Sequence, residues 1–480
     1  MTVEATMTID GKPVVSSEWI DVRNPARLSE LVGRYPNGTA QQADAAVSAA
    51  AAALPAWRRL SAEDRAAALL QALGTMSAHV NDWAALLTAE NGKTLAESMI
   101  DFQITMMGIG YYAGHPEWLA DEVLQDDRRR LVVQKQPIGV CVAIIPWNFP
   151  PTLASVKIGP GLLAGNTMVI KVPEFGPLAT LQCLGAIAAA LPPGVLNIVS
   201  GFGPEVGTSL VRDKRVGKVA FTGSTATGKL VMADAASHLA RVTLELGGND
   251  AALVLHDVDI TEEMVKRIVT GAFSATGQIC FAIKRLYVHE SRYGELTERL
   301  RAAVDEIVVG DGARPEVTMG PFNNERQFVK VGELLAETQR DYDVAQLGSY
   351  AEGTAIDDGY FMLPYLVFNP PESSAIVSCE QMGPILPIMK FEDEEEAIAR
   401  ANDSEYGLAS SVWSTDIDRA FAIGERLEAG TTFVNGHSLF TIDPDGPFGG
   451  FKESGVGREF GGPVGLAQYI QLKSITDSHL

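Results

Sequence analysis

From residue 131 onward, short apolar runs of strand length alternate with amphipathic segments of helix length. That alternation commits the chain to mainly parallel sheets covered by helices on both faces. Residues 131–133, 138–145, Thr167–Lys171, 195–199, 218–222 and 241–246 read as strands, and 177–191, 205–212 and 225–237 as the helices between them. The first of these helices is stopped by Pro192-Pro193-Gly194. A second series follows Gly247-Gly248. Its strands are 251–255, 285–289, Ile385–Phe391, 410–413 and 431–435, and its helices Glu262–Phe273, 292–307, 395–402 and 417–427. The fold class is therefore α/β, with two doubly wound α/β domains meeting near Gly247-Gly248. Ahead of them, an Ala-rich amphipathic stretch over about 40–107 reads as several helices broken at Pro55 and Gly92. The Gly/Pro/Asp-rich segment 443–462 reads as a loop, long for a passive connection and hence a candidate for function.

Charge and cysteine usage narrow the function classes. A net charge of −22 excludes nucleic acid and anionic membranes as expected partners, because both need clustered Lys and Arg. Arg128-Arg129-Arg130 follows Asp126-Asp127 and reads as a compensated surface turn. The acids of 392–396 suit the start of the helix that follows. No apolar run approaches the about 18 residues of a membrane helix; the best, 138–145, stops at Pro146. Residues 1–15 lack the basic cluster and apolar run of a signal peptide. Cys141, Cys183, Cys280 and Cys379 show no paired spacing, so neither a disulfide framework nor a metal site is expected, and the chain reads as cytoplasmic. Cys141 in an apolar strand and Cys183 in an Ala/Leu helix read as inert core thiols.

Three features carry chemistry. Gly277-Gln278-Ile279-Cys280 puts a cysteine on a loop after a small, polar approach (Ser274, Ala275, Thr276), which suits a nucleophile; a plain buried thiol is the bland alternative. Leu244-Glu245-Leu246-Gly247-Gly248 ends an apolar strand with a carboxylate. Burial would raise its pKa toward that of a general base, or it is a salt-bridged core acid. Pro146-Trp147-Asn148-Phe149-Pro150 fixes an amide between prolines, where it could donate to an oxyanion or simply complete a turn. Two Gly-containing βα turns, Gly201-Phe202-Gly203-Pro204-Glu205-Val206-Gly207 and Gly223-Ser224-Thr225-Ala226-Thr227-Gly228, offer backbone N–H groups to a pyrophosphate, though neither has the G-x-G-x-x-G spacing. Lys171 and Glu174 at a strand end suit ribose hydroxyls, or are surface charges.

Taken together, and in this order, these runs resemble the aldehyde dehydrogenase superfamily, as do Phe221-Thr222-Gly223-Ser224-Thr225, the stretch 380–384 and Pro447-Phe448-Gly449-Gly450-Phe451-Lys452-Glu453-Ser454-Gly455. The resemblance implies a Rossmann-like cofactor domain (1–118 and 138–246), a catalytic domain (247–445) and a small β oligomerisation flap (119–137 and 463–480), in a homodimer or homotetramer. It implies Cys280 as nucleophile, Glu245 as general base, the Asn148 amide with the Cys280 N–H as oxyanion hole, and Lys157 as an aid to water activation and proton relay. It implies a dinucleotide held by Ile144, Pro146, Trp147, Lys171, Glu174, Gly203, Gly207, Phe221, Gly223, Ser224, Leu246, Glu380 and Met382. Phe149, Leu153, Val156, Ser274, Ile279, Phe281, Thr441, Ile442 and Phe448 would form the pocket of an uncharged aliphatic or aromatic aldehyde, oxidised through a thioester; Val156 and Ser274 are small where the family has bulky aromatics. Glu245 favours the hydrolytic branch over the CoA-acylating one. Glu174 would repel a 2′-phosphate, so NAD is expected, with NADP as the alternative.

The chain departs from the family pattern at Met382, where a Phe is usual, at Val172-Pro173-Glu174, where Pro-Ser-Glu is common, and at Gln471, read as standing where many members pair a Glu with the relay lysine. Two rivals stay open at this point: a cofactor-independent Cys/His hydrolase pairing Cys280 with His437, and a family member kept as a binding or structural protein.

Overall fold

A computed structural model describes residues 2–126 and 129–478. The first alternating series forms an eight-stranded sheet in the spatial order Gly455–Val456, Arg241–Glu245, Val216–Thr222, Val140–Ile144, Thr167–Lys171, Leu196–Val199, Met7–Ile9, Lys12–Val14. The five strands running from Arg241–Glu245 to Leu196–Val199 are parallel to their neighbours. Antiparallel strands from near the two ends of the chain close both edges. Sequence reading assigns nothing to Met7–Ile9, whose three residues are too short a run to announce themselves. Chain order reverses beside Val140–Ile144, which leads to Thr167–Lys171 on one side while Val216–Thr222 and Arg241–Glu245 lie on the other. A crevice opens at the carboxyl ends of strands at such a switch point.

The second series forms a seven-stranded sheet, ordered Asp343–Gln346, Tyr365–Phe368, Ile385–Phe391, Ile283–His289, Asp250–Val254, Ala409–Trp413, Thr431–Val434 and parallel except at its first pair. Its central strands are buried on both faces, although Ile283–His289 carries Lys284 and Arg285 and Ala409–Trp413 carries Ser410 and Ser411. Each fully buried Val, Leu or Ile contributes about 1.5–3 kcal/mol. Helix Glu325–Asp341 was not anticipated, although Phe328, Val331 and Leu335 carry a helical period. The expected 205–212 helix is a wide turn, Gly203–Gly207, followed by one short helix, Thr208–Val211.

The N-terminal helices are Ala40–Trp57, Ala62–Gly74, Val80–Asn91 and Leu95–Ala113. Pro55 lies in the last turn of the first and does not break it; Gly92 takes a left-handed conformation (φ 92°) that ends the third. Thr94 then caps the fourth, with its side chain and that of Glu97 in a reciprocal capping box. A three-stranded antiparallel sheet, Glu122–Gln125, Arg129–Pro137 and Ile470–Ser478, stands apart from both large sheets. Of the charge run before it, Asp127 and Arg128 lie outside the described residues, while the Arg129 N–H donates to Asp126 at 3.0 Å. The acids at 394–396 occupy the first turn of Glu394–Asn402, under an Asp393 cap. All four cysteines are free, and among the described residues no helix is long and apolar enough to cross a membrane.

Candidate active site

The two large sheets are joined by one continuous path of chain. Arg241–Glu245 ends at the carboxyl edge of the first sheet, and Asp250 begins the second only five residues after Glu245. Asp250 pairs with Ile283, so the loop before Ile283, which carries Cys280, lies beside the Leu246–Asn249 crossing. The crossing is that tight only because it is Gly-Gly. A Cβ on Gly248 would come within 2.6 Å of the Cys280 carbonyl oxygen, and one on Gly247 within 2.6 Å of Glu380 Oε2.

The loop before Cys280 is bent by three consecutive left-handed residues, Ala275, Thr276 and Gly277 (φ 50°, 61° and 69°). The two non-glycine residues cost about 1–2 kcal/mol each. Their neighbours offset this: the Ala275 N–H donates to Glu97 Oε1 (2.6 Å) and Thr276 Oγ1 to the Gly320 carbonyl (2.9 Å). Beyond the bend, Asn148 Nδ2 donates to the Gln278 carbonyl at 3.0 Å, which ties the Pro-flanked turn to the cysteine loop. A primary amide has a second N–H, which this bond leaves available. Among the described residues the Cys280 N–H makes no hydrogen bond.

Asn148, Glu245 and Cys280 line one cavity of about 180 Å³. The rest of its wall is Ile104, Met107, Gly108, Tyr111 and Tyr112 from helix Leu95–Ala113, Phe149, Thr152 and Leu153 from the turn into helix Pro150–Leu163, and Ile279, Phe281, Leu439, Ile442, Pro444, Phe448 and Phe460 from loops, with Thr222 and Glu459. Among the described residues no Lys, Arg or His lines it. Lys93 lies behind the wall, its Nζ 3.6 Å from the Phe149 ring centre and paired with Asp101 at 2.6 Å. Six of the nine expected pocket residues therefore line the cavity and three do not. Val156 is buried one turn further along its helix. Ser274 lines a smaller adjoining pocket with Phe440. Thr441 is exposed and spends its hydroxyl closing a capping box with Ser438 (2.7 and 2.9 Å).

Burial pushes the Cys280 thiol up to about 12; Lys284 pulls the other way, and Asp250, Glu245 and Glu380 add to the rise. Glu245 is buried with neither carboxylate oxygen hydrogen-bonded. Burial first, and Glu459 next, hold it well above the usual carboxylate range, against Lys157 and Arg458. Lys157, fully buried, donates to Thr222 Oγ1 (2.8 Å) and pairs with Glu459 Oε1 (2.7 Å). This corrects the expectation for Gln471, which lies on the outer three-stranded sheet with its amide on the Pro137 carbonyl. The acid that meets Lys157 comes instead from the segment 443–462. That segment is loop broken by two-residue strands, one of which, Gly455–Val456, pairs with Leu244 and Glu245. Gly449 covers Glu245 so closely that a Cβ there would lie 2.8 Å from Oε1. Glu459 went unread, although it directly extends the Gly-rich run as Gly457-Arg458-Glu459.

On the opposite side of the crossing, the expected dinucleotide residues lie along the carboxyl edge of the first sheet. Phe221, Ile144 and Lys171 stand side by side in register, with Thr222 opposite Glu245. Pro146 and Trp147 follow half-buried, Trp147 held through its carbonyl by Asn91 Nδ2 (2.8 Å). Lys171 Nζ lies 2.6 Å from Glu174 Oε1, which also accepts the Gly203 N–H at 3.0 Å. A Cβ on Gly203 or Gly207 would meet its nearest neighbour, Glu174 Oε1 or Ile144, at ordinary contact distances of 3.7 and 3.9 Å. Ser224 caps helix Thr225–Ala235, whose first N–H groups point out of the sheet edge, and Leu246 packs against Gly228. Glu380 accepts the Gly248 N–H at 3.0 Å, and Met382 is half-buried on the same loop. Carboxylates at Glu174 and Glu380 suit two pairs of ribose hydroxyls, and the capped helix start between them suits a pyrophosphate. The edge thus fits a dinucleotide running toward Cys280.

His437 does not serve the thiol. Its Nε2 meets the Phe281 carbonyl at 2.7 Å and its Nδ1 meets Ser411 Oγ at 3.0 Å, so both ring nitrogens are engaged elsewhere. Among the described residues no group of His, Cys, Asp and Glu is arranged to hold a metal ion.

A family model described as the aldehyde dehydrogenase family matches residues 14–475. Among curated relatives, a succinate-semialdehyde dehydrogenase [NADP(+)] of Escherichia coli (strain K12) is 38% identical over 95% of this chain and 94% of its own. A phenylacetaldehyde dehydrogenase of Pseudomonas fluorescens is 38% identical over 96% of this chain and 93% of its own. An NAD+ complex of an aldehyde dehydrogenase from Bacillus cereus superposes with a TM-score of 0.93 at 32% identity, covering 99% of this chain and 97% of that one.

Proposed function

The chain belongs to the aldehyde dehydrogenase family and oxidises an aldehyde with NAD or NADP as acceptor; within that reaction, we propose that its substrate is an uncharged, apolar aliphatic or aromatic aldehyde and that the acid forms through a thioester on Cys280. The observation that carries the reading is the shared cavity: thiol, amide and carboxylate face one apolar space, next to a sheet edge that fits a dinucleotide.

The Cys280 thiol gives its proton to water and the sulfur attacks the aldehyde carbon, moving the carbonyl electron pair onto oxygen. The Asn148 amide and the Cys280 N–H stabilise that oxyanion as it forms. A bound nicotinamide dinucleotide supplies the two-electron acceptor for the carbon-bound hydrogen. It would be held by Lys171 and Glu174, the Gly223-Ser224 turn and Glu380. The carbon stays on Cys280 Sγ as a thioester. Glu245 then takes a proton from water, the water oxygen attacks the thioester carbon, and the C–S bond breaks to release the acid. Lys157, between Thr222 and Glu459, is placed to pass that proton onward.

The substrate class rests on what the cavity lacks. A semialdehyde would bring a further carboxylate into a wall that already holds Glu245 and Glu459 and, among the described residues, no Lys, Arg or His, and burying an unpaired charge there is prohibitive. NAD is preferred because Glu174, already beside Lys171, would repel a 2′-phosphate. We also read the protein as a cytoplasmic homodimer or homotetramer. Support comes from the four free thiols and from Val123, Leu124, Leu472 and Ile475, exposed on the three-stranded sheet where a second copy would cover them. The test is reduced-cofactor production over a panel of aldehydes. Turnover of phenylacetaldehyde and medium-chain alkanals well above that of succinate semialdehyde supports the reading; the reverse order overturns it.

A further inference from the structure

The cysteine loop is held by its carbonyl oxygens. Asn148 Nδ2 takes the Gln278 carbonyl (3.0 Å), Lys284 Nζ the Ile279 carbonyl (2.6 Å) and His437 Nε2 the Phe281 carbonyl (2.7 Å). A carbonyl only accepts, so His437 carries its proton on Nε2. The backbone on both sides of Cys280 is thereby fixed from below. Lys284 is the unexpected member. It is a lysine with 2% of its surface exposed, at the start of the central strand Ile283–His289. The family reading assigns it nothing. An ammonium group is expensive to bury, and among the described residues this one meets the Ile279 carbonyl and no carboxylate at hydrogen-bonding distance. It also ties in the loop bearing Glu380, since Gln381 Nε2 donates to the Lys284 carbonyl at 3.0 Å.

We propose that Lys284 is the positioning residue of the nucleophile: its ammonium group fixes the Ile279–Cys280 peptide and supplies the positive charge that favours the Cys280 thiolate. The proposal rests on Cys280 being the nucleophile, and its test reads the thiol directly, without aldehyde or cofactor. The charged groups that act most strongly on the thiol are Lys284 below it, Asp250 at the head of the adjoining strand, Glu245 across the crossing and Glu380 on the neighbouring loop. Three are acids that oppose ionisation, and Lys284 is the cation that favours it. Burial lowers the Lys284 pKa overall, and Glu380 and then Asp250 oppose it by favouring the ammonium form. Nothing else in the loop needs a charge at this position, because a neutral donor would satisfy the Ile279 carbonyl equally well.

That last point sets the experiment. The rate of carbamidomethylation by iodoacetamide, in which an S–C bond forms and iodide leaves, is measured for the Cys280 peptide by mass spectrometry across pH. Cys379, exposed on the same chain, serves as internal reference. Lys284→Gln keeps a donor and removes the charge; Lys284→Met removes both; Lys284→Arg keeps the charge. In the two neutral variants the Cys280 profile moves up by about one pH unit or more, the order expected from losing a close opposite charge, while that of Cys379 stays put. Lys284→Arg holds the wild-type midpoint. The kcat/KM of the neutral variants falls at neutral pH and recovers as pH rises, which a merely structural defect would not do. A neutral variant with the wild-type midpoint overturns the proposal, as does an equal shift in all three. Should one neutral variant fail to fold, the other decides. If Cys280→Ala retains turnover, the functional reading fails, whereas the effect of Lys284 on the thiol is judged on the alkylation profile alone.

Discussion

The two sides of Cys280 are built by opposite rules. The dinucleotide side is a row of strand ends: Phe221, Ile144 and Lys171 in register, with glycines and a helix cap between them. On the proposed reading much of its recognition is by backbone, so the chain turns tightly there and the turn residues are constrained. The aldehyde side is a wall of side chains from helix Leu95–Ala113, the turn at Phe149 and the loops reaching Phe460. There only size and apolarity matter, and many residues satisfy both. A site of this design keeps one chemistry fixed while its substrate range drifts.

The sharpest break in this comparison is at its shared point. Cys280→Ala should lower turnover by at least about 10⁴-fold. The thermal stabilisation by NAD should persist, because the strand-end side is untouched; loss of both would mean that the two sides are not separable. Next in size is the buried pair behind the cavity. Lys157→Met leaves Glu459 without its partner and should destabilise the fold by about 3–5 kcal/mol, read by chemical denaturation. Asn148→Ala should cost about 10²–10³-fold in kcat with little change in KM, since its free N–H acts on developing charge. Smaller still is the pH effect. Glu245 acts only when ionised, and burial holds its pKa above the usual carboxylate range. Turnover limited by hydrolysis should therefore fall as pH drops through that raised value, about tenfold per unit, and level off above it. Glu245→Gln should flatten this limb. The mildest change is Glu174→Gln, expected to shift the NAD-to-NADP preference by about tenfold and to leave the order of aldehydes unchanged. A reordering of aldehydes would show that the two sides communicate.

That contrast also explains what could be read from sequence. Cys280, Glu245, Asn148 and the dinucleotide row sit in contiguous runs where Gly, Pro and strand ends are forced by backbone geometry, and these runs stood out. Ile104, Met107, Tyr111, Leu439 and Phe460 did not, because their common property is meeting in space. Thr441 was misplaced because the family position marks a loop, while the local hydrogen bonds of Ser438 decide which way its side chain turns. The acid beside Lys157 is expected at Gln471 and is Glu459. Only the pairing of Gly455–Val456 with the edge of Arg241–Glu245 reveals that the Gly-rich loop, not the last strand, carries the partner of Lys157.

That late pairing bears on how the protein is born. Strand Arg241–Glu245 leaves the ribosome long before Gly449, Gly455–Val456 and Glu459, which cover its free edge and complete the ion pair with Lys157. During that interval the edge is open to pairing with other strands, and Lys157 awaits its counter-ion. A nascent chain halted between residues 280 and 449 therefore holds Asn148, Glu245 and Cys280 with no finished chamber around them. The cavity is walled in only once this later stretch has paired with Arg241–Glu245, and until then that edge is open to other strands.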